Sequence, residues 1–176
     1  MKNKLTAILI CSALLAIQNI NSQNKNTRNE FQSNIIQMGI VAYDLGKTLD
    51  FYKNVIGMKE VRTFAVDNTF SKKSGLSDGT PFKVTVLRLN DNKESAIIKI
   101  MSFPKKPNTK NNKFIQDGLG IRYITIHLNS MKPIFERIKK HKIKFLGQTP
   151  LAMGGGNIFA LIKDPNGVFI ELIGKK

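Results

Sequence analysis

Residues 36–58 read IQMGIVAYDLGKTLDFYKNVIGM and carry the signals of a strand followed by a helix. The apolar run from Ile35 to Ala42 predicts a buried strand. Asp44 then stands where a short polar side chain can cap a helix. Apolar residues at helical spacing predict an amphipathic helix. They are Leu45, Leu49, Tyr52 and Ile56. Gly57 is suited to end this helix because glycine readily takes a left-handed conformation.

Three more strands are predicted after this helix, because the chain next alternates between apolar runs and turn-forming residues. The predicted strands are Met58–Phe64, Phe82–Leu89 and Ala96–Phe103. Residues 67–81 are rich in Ser, Gly and Lys and are predicted to form a loop. The first half therefore follows the order β-α-β-β-β.

The same order recurs in the second half, after a linker at 104–118. Ser130 and Pro133 indicate the start of a second helix that ends near Lys142. The predicted strands are Ile121–Leu128, Ile143–Leu146, Asn157–Lys163 and Val168–Ile173. We therefore predict an α+β fold in which two β-α-β-β-β modules form a curved, cavity-enclosing mixed sheet. The halves are about 34–104 and 119–176.

The N-terminus has the layout of a secretory signal peptide. Lys2 and Lys4 precede an apolar run from Leu5 to Ile17, and Ser22 suits a cleavage site. We predict a signal peptide at 1–22, a flexible leader at 23–33, a domain at 34–176, and export to the periplasm or outside the cell. The apolar run is shorter than the about 20 residues that a membrane span needs. No span is therefore expected after processing.

Charge and cysteine content restrict the classes of partner and stabilising bond. Cys11 is the only cysteine and lies within the predicted signal, so disulfide bonds in the mature chain are excluded. The net charge of +16 favours anionic partners in general. Because the basic residues are nearly all Lys and follow no nucleic-acid motif, we expect no specific nucleic-acid partner.

Two stretches carry a family resemblance: residues 36–58, and residues 164–172, which read DPNGVFIEL. Together they resemble the opening module and closing hairpin of the vicinal oxygen chelate superfamily, which includes glyoxalase, bleomycin-resistance proteins and dioxygenases. The resemblance covers nearly all of residues 35–174. It implies a cavity that holds a small ligand, and a homodimer as a candidate assembly.

The resemblance also implies a site of four positions, on the first and last strands of each half. They fall on Gln37, Lys99, Tyr123 and Glu171. Gln37 and Glu171 suit a divalent metal, whereas the Lys99 ammonium has no lone pair and the neutral Tyr123 phenol is a poor ligand. We therefore expect no cofactor, with a divalent metal as the alternative.

His127 and Phe169 join the candidate ligand-binding residues because side chains alternate along a strand. Tyr123, Thr125 and His127 should share one face, as should Phe169 and Glu171. Glu171 is either a general base or a salt-bridge partner of Lys99. His127 is a displaced metal ligand, a general base or a hydrogen-bonded wall residue.

Three functions remain open at this point. The favoured one is a protein that binds a small anionic or aromatic ligand without a metal ion. The second is a metal-dependent lyase or isomerase resembling glyoxalase I, with Glu171 as its base. The third is an interaction module with no ligand.

Gly154–Gly156 is predicted to be a turn rather than a phosphate loop, since no Lys-Ser/Thr follows it.

Overall fold

The computed structural model describes residues 30–108 and 112–176. Ile35–Lys176 is one unit, and residues 30–34, which belong to a separate one, contain no helix or strand. The predicted signal peptide and most of the predicted leader lie outside the described residues. None of the helices in the described ranges is long and apolar enough to span a bilayer.

The two halves of the chain repeat one order of elements. In the first half these are β1 (Gln37–Val41), α1 (Leu45–Asp50) with a π-helical continuation (Phe51–Ile56), β2 (Lys59–Val66), α2 (Asn68–Lys73), β3 (Phe82–Arg88) and β4 (Ile97–Ser102). A short 3-10 turn (Ile115–Asp117) follows. In the second half they are β5 (Tyr123–Leu128), α3 (Lys132–Lys140), β6 (Leu151–Met153), a 3-10 turn (Gly154–Gly156), β7 (Asn157–Lys163) and β8 (Phe169–Lys175).

Each half forms its own four-stranded mixed sheet. The strand orders are β1-β4-β3-β2 and β5-β8-β7-β6. The first and last strands of each half are parallel, and the other neighbours are antiparallel. This matching topology confirms the predicted α+β class and the duplicated module.

The opening helix begins and ends at the predicted residues. The Asp44 side chain accepts a hydrogen bond from the Lys47 backbone N–H at 3.0 Å, and Gly57 takes the left-handed conformation at φ 96°. The Gly57 N–H donates to the Tyr52 carbonyl at 3.1 Å, five residues back, which is the bonding pattern of a π-helix.

Two local predictions were wrong. The 67–81 loop contains the short helix α2, which the Asp67 side chain caps by accepting from the Phe70 N–H at 2.8 Å. No strand forms at 143–146. Ile143 and Phe145 pack against the core instead. A short apolar run signals burial but does not by itself choose a strand, and the edge strand β6 forms later in the chain.

Both halves contribute to one hydrophobic core, which lies against one face of each sheet, here called the core face. It includes Ile98 and Ile100 from β4 and Ile170 and Leu172 from β8. Arg137 of α3 joins the halves directly. Its Nε donates to the Val55 carbonyl at 2.8 Å, and its Nη2 to the Ile56 carbonyl at 3.2 Å. These bonds satisfy carbonyls that the end of the first helix leaves free.

A buried polar network fastens the first helix to the closing hairpin. We call it the helix–hairpin clasp: Thr48, Tyr52, Asp164 and Asn166. The Tyr52 hydroxyl donates to Asp164 Oδ2 at 3.1 Å, and Asn166 Nδ2 donates to Thr48 Oγ1 at 3.1 Å. The Tyr43 N–H also donates to Asn166 Oδ1 at 2.9 Å.

Burial perturbs both ionisable members of the clasp. Asp164 is only 5% exposed, and desolvation raises the pKa of its carboxyl, although several hydrogen bonds oppose the shift. Burial and the neighbouring Asp164 raise the pKa of the Tyr52 hydroxyl far above its ordinary value. The residues that carry the family resemblance at 43–52 and 164–167 therefore have a structural role here.

Candidate functional site

The second face of each sheet, here called the open face, carries the candidate site residues. On the first sheet Gly39 pairs with Lys99. Because alternate residues of a strand share a face, Gln37, Gly39 and Lys99 lie on the same side. Gln37 is exposed and Lys99 is half-buried. The neighbours of Lys99 in sequence, Ile98 and Ile100, face the core.

The open face of the second sheet repeats this arrangement. Thr125 pairs with Glu171, Tyr123 with Phe169, and His127 with Ile173. The predicted sharing of a face by Tyr123, Thr125 and His127 is thereby confirmed, as is the sharing of a face by Phe169 and Glu171.

The strand pairing in the two sheets shows that the candidate positions correspond in pairs. Gln37 corresponds to Tyr123, and Lys99 corresponds to Glu171. Lys99 pairs with the residue two places after Gln37, and Glu171 pairs with the residue two places after Tyr123. Lys99 is thus the structural counterpart of Glu171. The first sheet thus carries a cation at the position where the second sheet carries a carboxylate.

The four side chains do not form a suitable set of metal ligands. They offer one amide, one ammonium, one phenol and one carboxylate, whereas a divalent cation needs several neutral or anionic donors. Within residues 30–108 and 112–176, no group of three or more His, Cys, Asp or Glu side chains lies close enough to hold an ion.

Glu171 is partnered by its own sheet. Its Oε2 accepts a hydrogen bond from Thr125 Oγ1 at 2.7 Å. Glu171 was predicted to be either a general base or a salt-bridge partner of Lys99. The salt bridge to Lys99 is not formed among the described residues. A partly exposed carboxylate oriented by a hydroxyl can accept a proton or bind a ligand hydroxyl.

His127 lies too far along β5 to take the place of Tyr123. Four residues separate them, which is about 13 Å along a strand. His127 is exposed, and it pairs with Ile173 rather than with the phenylalanine opposite Tyr123. Its register therefore separates it from Tyr123, and the role of His127 stays a prediction.

Phe169 contributes less open surface than its position suggests. It is 2% exposed, and the Lys163 ammonium lies 4.5 Å from the centre of its ring. The Lys163 Nζ also donates to the Asn112 carbonyl. This cation covers the ring, so a ligand at Tyr123 would meet Lys163 before Phe169.

Three clefts of the described chain are lined by none of the four candidate residues. One, of about 400 Å³, lies at the end of β2, β3 and β4 and is lined mainly by apolar groups that include Val66, Phe82 and Phe103. A second, of about 430 Å³, lies beside α3 and includes Phe135 and Ile158. A third, of about 550 Å³, lies beside α2.

Arg88 is a cation beside Lys99 that the sequence did not single out. It is half-buried on β3, and its Nε is buried without a hydrogen-bond partner among residues 30–108 and 112–176. The alternation in Phe82–Arg88 places Arg88 on one face with Val84 and Val86. That pattern was available from sequence, but its closeness to Lys99 required the register of β3 against β4.

The family model described as Glyoxalase/Bleomycin resistance protein/Dioxygenase superfamily matches residues 34–172. No curated protein matches the chain closely in sequence.

Several solved structures share the fold. A glyoxalase family protein from Bacillus cereus is 16% identical with a TM-score of 0.69, over 85% of this chain and 97% of the other. The trypanothione-dependent glyoxalase I of Leishmania major is 19% identical with a TM-score of 0.57, over 79% and 84%. A fosfomycin resistance protein from Listeria monocytogenes is 18% identical with a TM-score of 0.52, over 83% and 96%. At these identities the likeness concerns the fold.

Proposed function

The chain belongs to the glyoxalase/bleomycin resistance protein/dioxygenase superfamily, and from that premise we propose that it is an exported protein that binds a small organic ligand on the open faces of its sheets without a metal ion. The observation that carries the proposal is Lys99. It is the counterpart of Glu171 in the register of the two sheets, and it brings an ammonium group where a metal site requires a donor.

The chemistry of the open faces supports a ligand with an anionic or aromatic part. Lys99 and Tyr123 offer an ammonium and a phenol, while Gln37 and Glu171 offer an amide and a carboxylate. Such a set provides directional donors and acceptors for an organic molecule.

Metal content and thermal melting of the purified protein test the metal-free part of the proposal. We expect less than stoichiometric metal, and no change in melting temperature when divalent ions or a chelator are added. An ion that binds only the folded state at 100 times its dissociation constant would stabilise the protein by about 2.7 kcal/mol, so a bound metal is readily detected. Stoichiometric metal together with a lower melting temperature in chelator contradicts the proposal.

A second candidate, proton transfer by Glu171, is favoured by its hydrogen bond with Thr125. For this activity we expect Glu171→Gln to reduce kcat by at least about 100-fold, with the melting temperature within a few degrees of wild type. Thr125→Val is the matched variant, because it removes the orienting hydroxyl and keeps the carboxylate. Equal turnover by Glu171→Gln and wild type excludes the candidate.

Export is supported by the charged and apolar segments of residues 1–22. We expect the chain produced in its native cells to begin at Gln23, with Cys11 removed. N-terminal sequencing or the intact mass of protein from the periplasm or medium measures this. An intact mass that retains residues 1–22 is the contrary result.

A further inference from the structure

The open face of the first sheet carries a cluster of cations. Arg62 and Lys99 both pair with Val86, so they flank it on neighbouring strands. Arg88 is the next residue on that face of β3, in a position diagonal to Lys99. Diagonal neighbours on paired strands are about 7–8 Å apart, within the combined reach of a lysine and an arginine.

Three acidic residues of the same half pair with other lysines. Asp44 is 3.7 Å from Lys47, Glu60 accepts from Lys53 at 2.9 Å, and Asp91 accepts from Lys59 at 2.6 Å. In the described ranges no ion pair involves the cations of the open face. The nearest aromatic contact of Arg62 is with the uncharged Phe64 ring, whose centre lies 5.2 Å away, so it does not neutralise the Arg62 charge.

Arg88 gives the strongest sign that a partner is missing. Its Nε is buried, and no acceptor in the described part of the chain reaches it. Buried polar atoms nearly always have a partner, and burying an unpaired donor of a charged group is unfavourable. An anionic group bound between Arg88 and Lys99 would be held by two cations, and a rotation of the Arg88 side chain toward it would give Nε its acceptor.

An apolar region continues from the cations along the same face. Val66, Phe82, Val84 and Val86 form a separate hydrophobic cluster, against which Met101 and Phe103 pack. The Phe82 and Phe103 rings stack with centres 4.7 Å apart and line the cleft of about 400 Å³. Four residues separate Phe82 from Val86, which places the ring pair about 13 Å along the strand from the level of Lys99.

We propose that the ligand is an amphiphilic anion, with a carboxylate bound by Lys99 and Arg88 and an unbranched apolar body that reaches the Phe82–Phe103 pair. This rests on the proposed ligand-binding function and names its ligand class. The negative charge follows from cations that have no ion-pair partner in the described ranges, and the length of the apolar body follows from the distance between those cations and the cleft. Lys99 thereby attracts an anion at the position where the second sheet carries the Glu171 carboxylate.

Calorimetric titration with decanoate, whose extended chain is close to the required length, tests the inference. Decanamide is its neutral counterpart, and acetate is the head group alone. We expect decanoate to bind at one site per chain, at least about tenfold more tightly than decanamide, since a hydrogen bond to a charged group is worth about a factor of ten or more. Acetate should bind far more weakly, and raised salt should weaken decanoate binding.

Variants locate the site. Lys99→Met and Arg88→Gln should each weaken decanoate binding about tenfold or more, while Lys99→Arg, which keeps the charge, should restore most of it. Lys144→Met is the matched control because Lys144 is an exposed lysine in the other half. It should bind decanoate like wild type, and melting curves of all four variants confirm that they are folded.

The outcomes separate this inference from the broader proposal. If decanamide binds as well as decanoate, or if Lys144→Met weakens decanoate binding as much as Lys99→Met, the proposed anion site is wrong. The broader proposal that the protein binds a small organic ligand is then unaffected. If no decanoate or decanamide binds and the melting temperature is unchanged by a panel of small anionic and aromatic compounds, the proposed function itself fails.

Discussion

Replacing Asp164 by alanine is expected to lower the free energy of unfolding by about 3–4 kcal/mol, because it removes the acceptor at the centre of the helix–hairpin clasp. Asp164 Oδ1 accepts from the N–H groups of Asn166 at 2.8 Å and Val168 at 2.7 Å. Its Oδ2 accepts from the Tyr52 hydroxyl at 3.1 Å and from Asn166 Nδ2 at 3.0 Å. Alanine would leave these donors without their acceptor in a buried place.

Urea unfolding followed by circular dichroism measures the change. Asp91→Ala is the matched control, because the Asp91 side chain is 81% exposed and pairs with a lysine at the surface. The control should change stability by less than about 1 kcal/mol. If Asp164→Ala and Asp91→Ala lose equal amounts of unfolding free energy, the helix–hairpin clasp stabilises the protein no more than an exposed ion pair does.

The pH dependence of stability gives an independent test of the clasp. Burial raises the pKa of Asp164 above the unfolded value, so the folded chain holds the proton more strongly. The part of the stability that comes from this stronger proton binding is therefore fully present below the unfolded pKa of about 3.9 and is lost as pH rises through the folded pKa. The stability of wild type minus that of Asp164→Asn should fall with rising pH across this acidic window. A difference that grows with pH would show that the hydrogen-bond donors outweigh burial.

Replacing Gly174 by alanine is expected to destabilise the protein by about 2–3 kcal/mol through overpacking. Gly174 pairs with Leu128 where β8 meets β5, and it is buried. A Cβ at this position would collide with the Leu128 carbonyl oxygen and lie 3.0 Å from the Leu128 Cβ. Because the obstacle is backbone, a rotamer change alone cannot relieve it, and the two parallel strands must separate.

Gly154→Ala is the control for this variant. A Cβ at Gly154 would meet no atom within 4 Å, and its backbone does not require a positive φ. Thermal melting should show a large drop for Gly174→Ala and little change for Gly154→Ala. A melting temperature for Gly174→Ala within about a degree of wild type would mean that the end of β8 shifts without strain.

Prediction succeeded where the deciding interactions are local. The Asp44 cap, the left-handed Gly57 and the tight turn after Asp164 are set by residues within a few positions of each other. It failed at 143–146, where an apolar run packs against the core without pairing as a strand. Periodicity reports burial, and only partners elsewhere in the chain decide the conformation.

The sequence by itself determined most of the order of strands and helices, the duplication, the shared face of Tyr123 and His127, and that of Phe169 and Glu171, because alternation along a strand is a local property. Only the tertiary structure decided which strands are neighbours. Tyr52 and Asp164 are 112 residues apart, and Arg137 and Val55 are 82 apart. The closeness of Arg88 to Lys99 likewise depends on the register of β3 against β4. No local pattern encodes such contacts, since they form only when the sheets and helices pack together.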